Sequence, residues 1–80
     1  MDKTPNDRIL ELLATRCNQA GAEPEGFGMV GTEVAEGLQM SWQEAVIAFD
    51  ELLDKGLVEY NPGDGIVRLK RKGYEAAGGK

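Results

Sequence analysis

In the stretch Leu52-Leu53-Asp54-Lys55-Gly56-Leu57-Val58 the chain changes from one period to another. Upstream of Gly56, apolar residues recur at helical spacing. Ala45, Ala48, Phe49 and Leu52 stand at i, i+3, i+4 and i+7, which makes one face of a helix apolar. Downstream, Leu57-Val58-Glu59-Tyr60 has the composition of a strand. Glycine reaches the left-handed backbone without a steric cost, so Gly56 ends the helix and Leu57-Val58 begins a strand that packs back on the core. The other end of the helix carries a capping box, Ser41-Trp42-Gln43-Glu44. A serine hydroxyl can accept from the amide three residues on, while the glutamate returns to the serine amide. The helix therefore runs from Trp42 to about Lys55.

Working outward, the region before Ser41 reads as two further helices. Residues Asn6 to Ala20 form the first. Thr4-Pro5 opens it, Gly21 stops it, and Ile9, Leu12, Leu13, Cys17 and Ala20 make its apolar stripe. Ala22 to Gly28 is a loop rich in Gly and Pro, with Phe27 at the edge of the core and Met29-Val30 as a very short strand. A short second helix, Glu33 to Gly37, is expected with Thr32 as its N-cap and Val34, Ala35 and Leu38 on its buried side. Only a tight turn fits between Leu38 and Ser41, which makes the second and third helices a helix-turn-helix pair. After the third helix, Leu57–Tyr60 and Ile66–Lys70 pair as a hairpin across the turn-rich Asn61-Pro62-Gly63-Asp64-Gly65. The tail holds a turn of helix around Tyr74 to Ala77. The expected architecture is α+β and mostly α, three helices plus a small β-hairpin, as one domain over 1–80 with 1–5 and 76–80 frayed.

Composition narrows the function. Fourteen acidic and nine basic residues give a net charge of −5, which opposes a strongly basic nucleic-acid binder but leaves room for a local basic patch. One cysteine and no histidine exclude an internal disulfide and the usual zinc sites. No cofactor and no metal ligand set is expected. No nucleophile–base pair is present, so the chain is not read as an enzyme. The polar N-terminus lacks a signal-peptide core, and no apolar run approaches membrane length. A cytoplasmic protein without a membrane partner is expected. Cys17, on the apolar stripe of the first helix, reads as a buried small apolar residue. Asp50 and Asp54 read as a solvated acidic face.

From Val30 to Ala77 the chain resembles the winged helix-turn-helix domains of MarR-like and ArsR-like transcription regulators. Leu52, Gly56, Leu57 and Val58 match their junction between third helix and wing, and Leu69-Lys70-Arg71-Lys72-Gly73-Tyr74-Glu75 is similar to their wing exit, with Lys70 in place of the usual Thr. The resemblance implies a DNA-binding domain, a transcriptional regulator or a component of one, whose third helix enters the major groove. The DNA-contacting residues would then be Ser41, Trp42, Gln43, Val46 and Ile47, with Arg68, Lys70, Arg71 and Lys72 gripping phosphates near the wing. The chain departs from the pattern on that helix. Val46-Ile47 stands where relatives carry a small polar residue and an arginine, and Glu51 stands where a basic residue is common. Glu44, Asp50, Glu51 and Asp54 are carboxylates that repel a phosphate backbone. The alternative is a protein-interaction winged helix without DNA binding. Its interface is the stripe of Trp42, Val46 and Leu53, and its partner is another protein or a second copy. The same stripe is also compatible with a more deeply buried helix. Exposure of Trp42, and the place of the Arg68–Lys72 cations relative to the start of the third helix, discriminate among these readings.

Overall fold

The computed structural model describes residues 4–78. Its elements run α1 (Pro5–Ala20), β1 (Gly28–Val30), α2 (Gly31–Gly37), α3 (Trp42–Asp54), β2 (Val58–Asn61), β3 (Ile66–Leu69) and α4 (Arg71–Ala76). The class is α+β and mostly helical. Among the described residues there are four helices and one antiparallel three-stranded sheet of order β1-β3-β2, one helix more than expected.

α1 starts as its sequence dictates. The Thr4 hydroxyl accepts from the Asp7 amide at 3.2 Å, and Gly21 closes the helix at φ 65°. Its buried face is wider than the expected stripe and turned relative to it. Ile9, Leu13 and Cys17 are buried as expected, but so are Leu10 and Ala14, while Leu12 is half-buried and Ala20 is exposed. The cause is that α1 is covered from two sides. α3 and α4 both pack on it, and the Leu10 side chain lies against Gly73 of α4.

β1 runs directly into α2, and this corrects the cap expected at Thr32. The helix begins at Gly31, its N-cap is Val30, and no side chain caps it. The helix has already begun before Thr32, because its first amide finds a partner across the sheet. Gly31 N–H donates to the Gly65 carbonyl at 2.7 Å, extending the β1–β3 pairing into the first turn of the helix. α2 ends at Gly37. The tight turn to α3 passes through Gln39 at φ 56° and is closed by Met40 N–H on the Ala35 carbonyl at 2.9 Å.

α3 carries both arms of the capping box at Ser41 and Glu44, and Gly56 follows it at φ 75°. Ala45, Ala48, Phe49 and Leu52 are its buried residues, the face read from the sequence. β2 and β3 pair from Val58↔Leu69 to Asn61↔Ile66, so Leu57 and Lys70 lie just outside the strands expected to contain them. The turn between them is held by its own side chains. The Asn61 amide oxygen accepts from Gly63 N–H at 2.9 Å, and a carboxylate oxygen of Asp64 accepts from Ile66 N–H at 2.9 Å. β1 pairs on the other edge of β3, which turns the expected hairpin into a three-stranded sheet.

α4 starts earlier than the turn expected around Tyr74–Ala77. It is docked by Tyr74, whose hydroxyl donates to the Asn18 side-chain oxygen of α1 at 2.7 Å. The fraying expected at 1–5 and 76–80 falls partly on residues 1–3 and 79–80, which lie outside those described; Pro5 and Ala76 belong to helices. The core gathers Phe49, Ile9, Leu13, Leu52, Leu69 and their neighbours between the three longer layers, and no polar side chain is buried with them.

Candidate functional site

With its apolar face spent on the core, α3 presents its remaining sides to solvent. Trp42 keeps 45% of its surface exposed, Ile47 61% and Leu53 42%, while Val46 is half-buried. Of the stripe made by Trp42, Val46, Phe49 and Leu53, only Phe49 is core. The interpretation of that stripe as an inner face therefore does not hold for Trp42 and Leu53. Trp42 is nonetheless fixed on one side. Its ring meets Phe49 edge-on at 6.3 Å and 73°, and Phe49 in turn lies 5.1 Å from the Tyr60 ring of β2. The indole is thus held on one flank and wet on the other.

The exposed sides of α3 carry mostly acidic charge, while Arg8 of α1 donates to the Leu38 carbonyl at 2.9 Å in the turn just before the helix. Glu44, Asp50, Glu51 and Asp54 are all exposed on α3, and Lys55 at its C-cap is the first cation after the capping box. Ser41 and Gln43 are exposed at the start of the helix, but the Ser41 amide and hydroxyl are both engaged with Glu44, each at 3.2 Å.

The cations at 68–72 are divided between two places. Arg68, on β3, donates to Asp64 at 3.3 Å. The Ile66 amide, with Arg68 after it, holds the Asp64 carboxyl below its ordinary range. Lys70 is the N-cap of α4, and Arg71 and Lys72 are exposed in its first turn. The Lys70 amide bonds the carbonyl of Leu57, just beyond the C-terminal end of α3. At the opposite end of that helix, Trp42 lies near Gly31, whose amide meets Gly65 at the tip of the hairpin. A 13-residue helix separates the two places, roughly 20 Å at 1.5 Å per residue. The fold thus gathers Ser41, Trp42, Gln43, Val46, Ile47 and Leu53 on α3 and leaves Lys70, Arg71 and Lys72 at its far end.

One feature of this surface escaped sequence reasoning. Between the start of α1 and the outer side of α3 lies a groove of about 440 Å³, lined by Pro5, Leu10 and Ile47 and by Asp7, Glu44 and Glu51. The Asn6 amide nitrogen donates to Glu51 at 2.9 Å, tying the start of α1 to α3 at this groove. The signal available was Ile47 itself, an apolar residue among carboxylates on a helix whose core face was already filled. Its partner wall comes from α1, forty residues away in the chain, and spacing along one helix cannot supply it.

Cys17 is fully buried, and its Sγ–H donates to the Ala22 carbonyl at 3.2 Å. Burial, and then the charge of Glu23, push its pKa up. A thiol whose pKa rises on folding contributes its full stabilisation below the ordinary thiol range and loses it as pH climbs through the raised value. Alkylation of native protein by iodoacetamide near pH 8 should run at least ~10-fold slower than in denaturant, because it waits on opening of the fold. Equal rates would show that Cys17 is accessible. Among the described residues no three His, Cys, Asp or Glu side chains stand together so as to hold a metal ion, and no helix is long and apolar enough to cross a membrane.

Compared with protein-family models, with curated proteins and with solved structures, the chain matches none.

Proposed function

We propose that this chain is a winged helix-turn-helix domain whose third helix docks a protein partner instead of a DNA duplex. The order α1-β1-α2-α3-β2-β3-α4 supports the winged-helix assignment, with α2 and α3 as the helix-turn-helix and β2–β3 as the wing. The observation that carries the protein-binding reading is the half-exposed Trp42, braced on Phe49, at the head of a helix lined with carboxylates. An aromatic anchor with an apolar flank is the composition of an interface centre. A groove-reading helix instead needs cations within reach of the phosphates on either side. The resemblance of the junction and of the wing exit favours a second reading, a DNA-binding regulator. Its cations are divided: Lys70, Arg71 and Lys72 lie beyond the C-terminal end of α3, and Arg68, by the hairpin tip, is engaged by Asp64.

Trp42 is the chain's single tryptophan, so its emission reports this surface without a label. The free domain is expected to emit as an exposed indole quenched readily by acrylamide. Titration with mixed-sequence duplex at low salt is expected to leave the spectrum unchanged. A saturable change that vanishes as salt is raised would hand the function to the DNA reading, because even non-specific binding shows under those conditions. Trp42→Ala is expected to keep the far-ultraviolet circular dichroism of the parent while costing about 1 kcal/mol of stability, the worth of one edge-on aromatic contact.

A further inference from the structure

We infer that the groove between the start of α1 and the outer side of α3 seats a cationic amphipathic helix from a partner protein. This inference rests on the protein-binding reading and adds to the Trp42 edge a second contact of defined chemistry. The groove has an apolar floor. Ile47 is the most exposed large apolar side chain among the described residues, at 61%, and Pro5, Leu10 and Leu57 lie beside it. Its rim is negative, with Asp7, Glu44 and Glu51 against the single cation Lys55. The hydrogen bonds these carboxylates make do not neutralise them. Glu51 accepts from the neutral amide of Asn6, and Glu44 from the amide and hydroxyl of Ser41. No ion pair engages Asp7, Glu44 or Glu51 among the described residues.

Those charges select the occupant. A duplex or an anionic membrane surface is repelled. A second copy docking this face on itself about a twofold axis sets carboxylate against carboxylate. A helix with leucine-like residues on one side and Lys or Arg flanking them meets both the floor and the rim, in the helix-in-groove manner. From Glu44 to Lys55 the wall of the groove extends about three helical turns, which sets the length of the docked segment.

The probe is a fluorescein-labelled Lys/Leu-patterned amphipathic peptide of about 18 residues, long enough to hold a helix on a surface. A Glu/Leu peptide of the same pattern is its control. Anisotropy should show salt-sensitive binding of the Lys/Leu peptide alone. Amide resonance shifts should centre on Leu10, Ile47 and Glu51. Ile47→Ser and Glu51→Lys, both at exposed positions that leave the core intact, should each weaken binding by about tenfold or more. Glu59→Lys makes the same charge change on β2, and it should move the affinity less than about threefold. If Glu59→Lys weakens binding as much as Glu51→Lys, or if the Glu/Leu peptide binds equally well, the groove inference is overturned. Binding lost in Trp42→Ala but kept in Ile47→Ser overturns the groove while leaving the protein-binding reading in place. Self-association on sedimentation that disappears in Arg71→Glu would assign the acidic face to the cationic α4 of a second copy and overturn the separate partner. Duplex binding with no peptide binding overturns both readings.

Discussion

Phe49→Ala is expected to remove a large part of the stability of the domain. Phe49 is the largest fully buried side chain, and it sits where three layers meet. Its ring touches Trp42 on its own helix and Tyr60 on β2, and it lies 3.2 Å from where a Cβ on Gly31 would stand. Deleting a buried phenyl costs about 3–5 kcal/mol, because the lost transfer energy is joined by a cavity that its neighbours only partly fill. A domain of 80 residues has roughly 4–12 kcal/mol in total. The thermal midpoint should fall by roughly 15 °C or more, at about 4–8 °C per kcal/mol for a chain of this size. Phe49→Leu keeps most of the volume and should cost about 1–2 kcal/mol. Trp42 loses its brace in Phe49→Ala, so its emission should shift to the red even in the population that stays folded. A midpoint within a few degrees of the parent would mean that Tyr60 and Trp42 close over the gap and that the ring stack is not what joins α3 to the sheet.

That residue also marks how far the sequence reaches. The period of α3, its capping box and the Gly56 stop are local properties, and each could be read because the physics involved spans four residues or fewer. The same holds for Thr4 and Gly21 at the ends of α1. What could not be read is set by contacts between segments. The cap of α2 moved from Thr32 to Val30 because the Gly31 amide finds the Gly65 carbonyl, a partner thirty-four positions away. The buried face of α1 took in Leu10 and Ala14 because α4 lies on it, and α4 itself has neither a capping side chain nor an apolar period to announce it. Its position comes from Tyr74 reaching Asn18, a residue that local periodicity places on the polar side. The candidate site divides the same way. The acid-rich outer face of α3 and the odd placement of Trp42 and Ile47 are legible along one helix. The groove is not, since half of it belongs to α1.

The surface and the core are linked through the outer helix. α3 uses one side for packing and has no polar side chain facing inward, so its exposed apolar residues are not compensating for a poorly filled core. Exposing Trp42, Ile47 and Leu53 together costs solubility in a small domain, and the carboxylates between them offset this by keeping like molecules apart. The same carboxylates that keep copies of the domain apart favour a cationic partner. On the proposed reading, one charge pattern would serve both against self-association and for recognition.

Gly73→Ala should be the second large effect, and its sign runs against helix propensity. In a solvent-facing helix position, replacing Gly by Ala stabilises by up to about 1 kcal/mol. Gly73 lies buried in α4 with its Cα turned to the chain just after α3. A Cβ there would collide with the Leu57 carbonyl oxygen, stand 3.0 Å from the carbonyl carbon and press on Leu10 at 3.2 Å. The obstacle is backbone, and it is tethered, because the same Leu57 oxygen accepts from Lys70 N–H at 3.2 Å. α4 must therefore lift from α1 or the start of β2 must move. Either breaks the half-buried Tyr74–Asn18 bond or loosens Leu10, and the cost should reach about 2–4 kcal/mol, the range of overpacking joined by a lost hydrogen bond. Gly37→Ala is the matched control. The nearest atom to its Cβ is Leu12 Cδ2 at 3.8 Å and its φ is ordinary, so that variant should melt at or slightly above the parent. Hydrogen exchange localises the effect, with faster exchange of the α4 amides and of Leu57's neighbours in Gly73→Ala and no change across α2. Leu10 and Leu57 also line the groove beside Ile47, so lifting α4 removes the backing of that surface. Gly73→Ala should then weaken capture of a cationic helix although no residue of the rim has changed. A Gly73→Ala domain that melts with the parent would mean that α4 slides off Leu57 at no cost, and the tight approach would not be what holds the tail to the body.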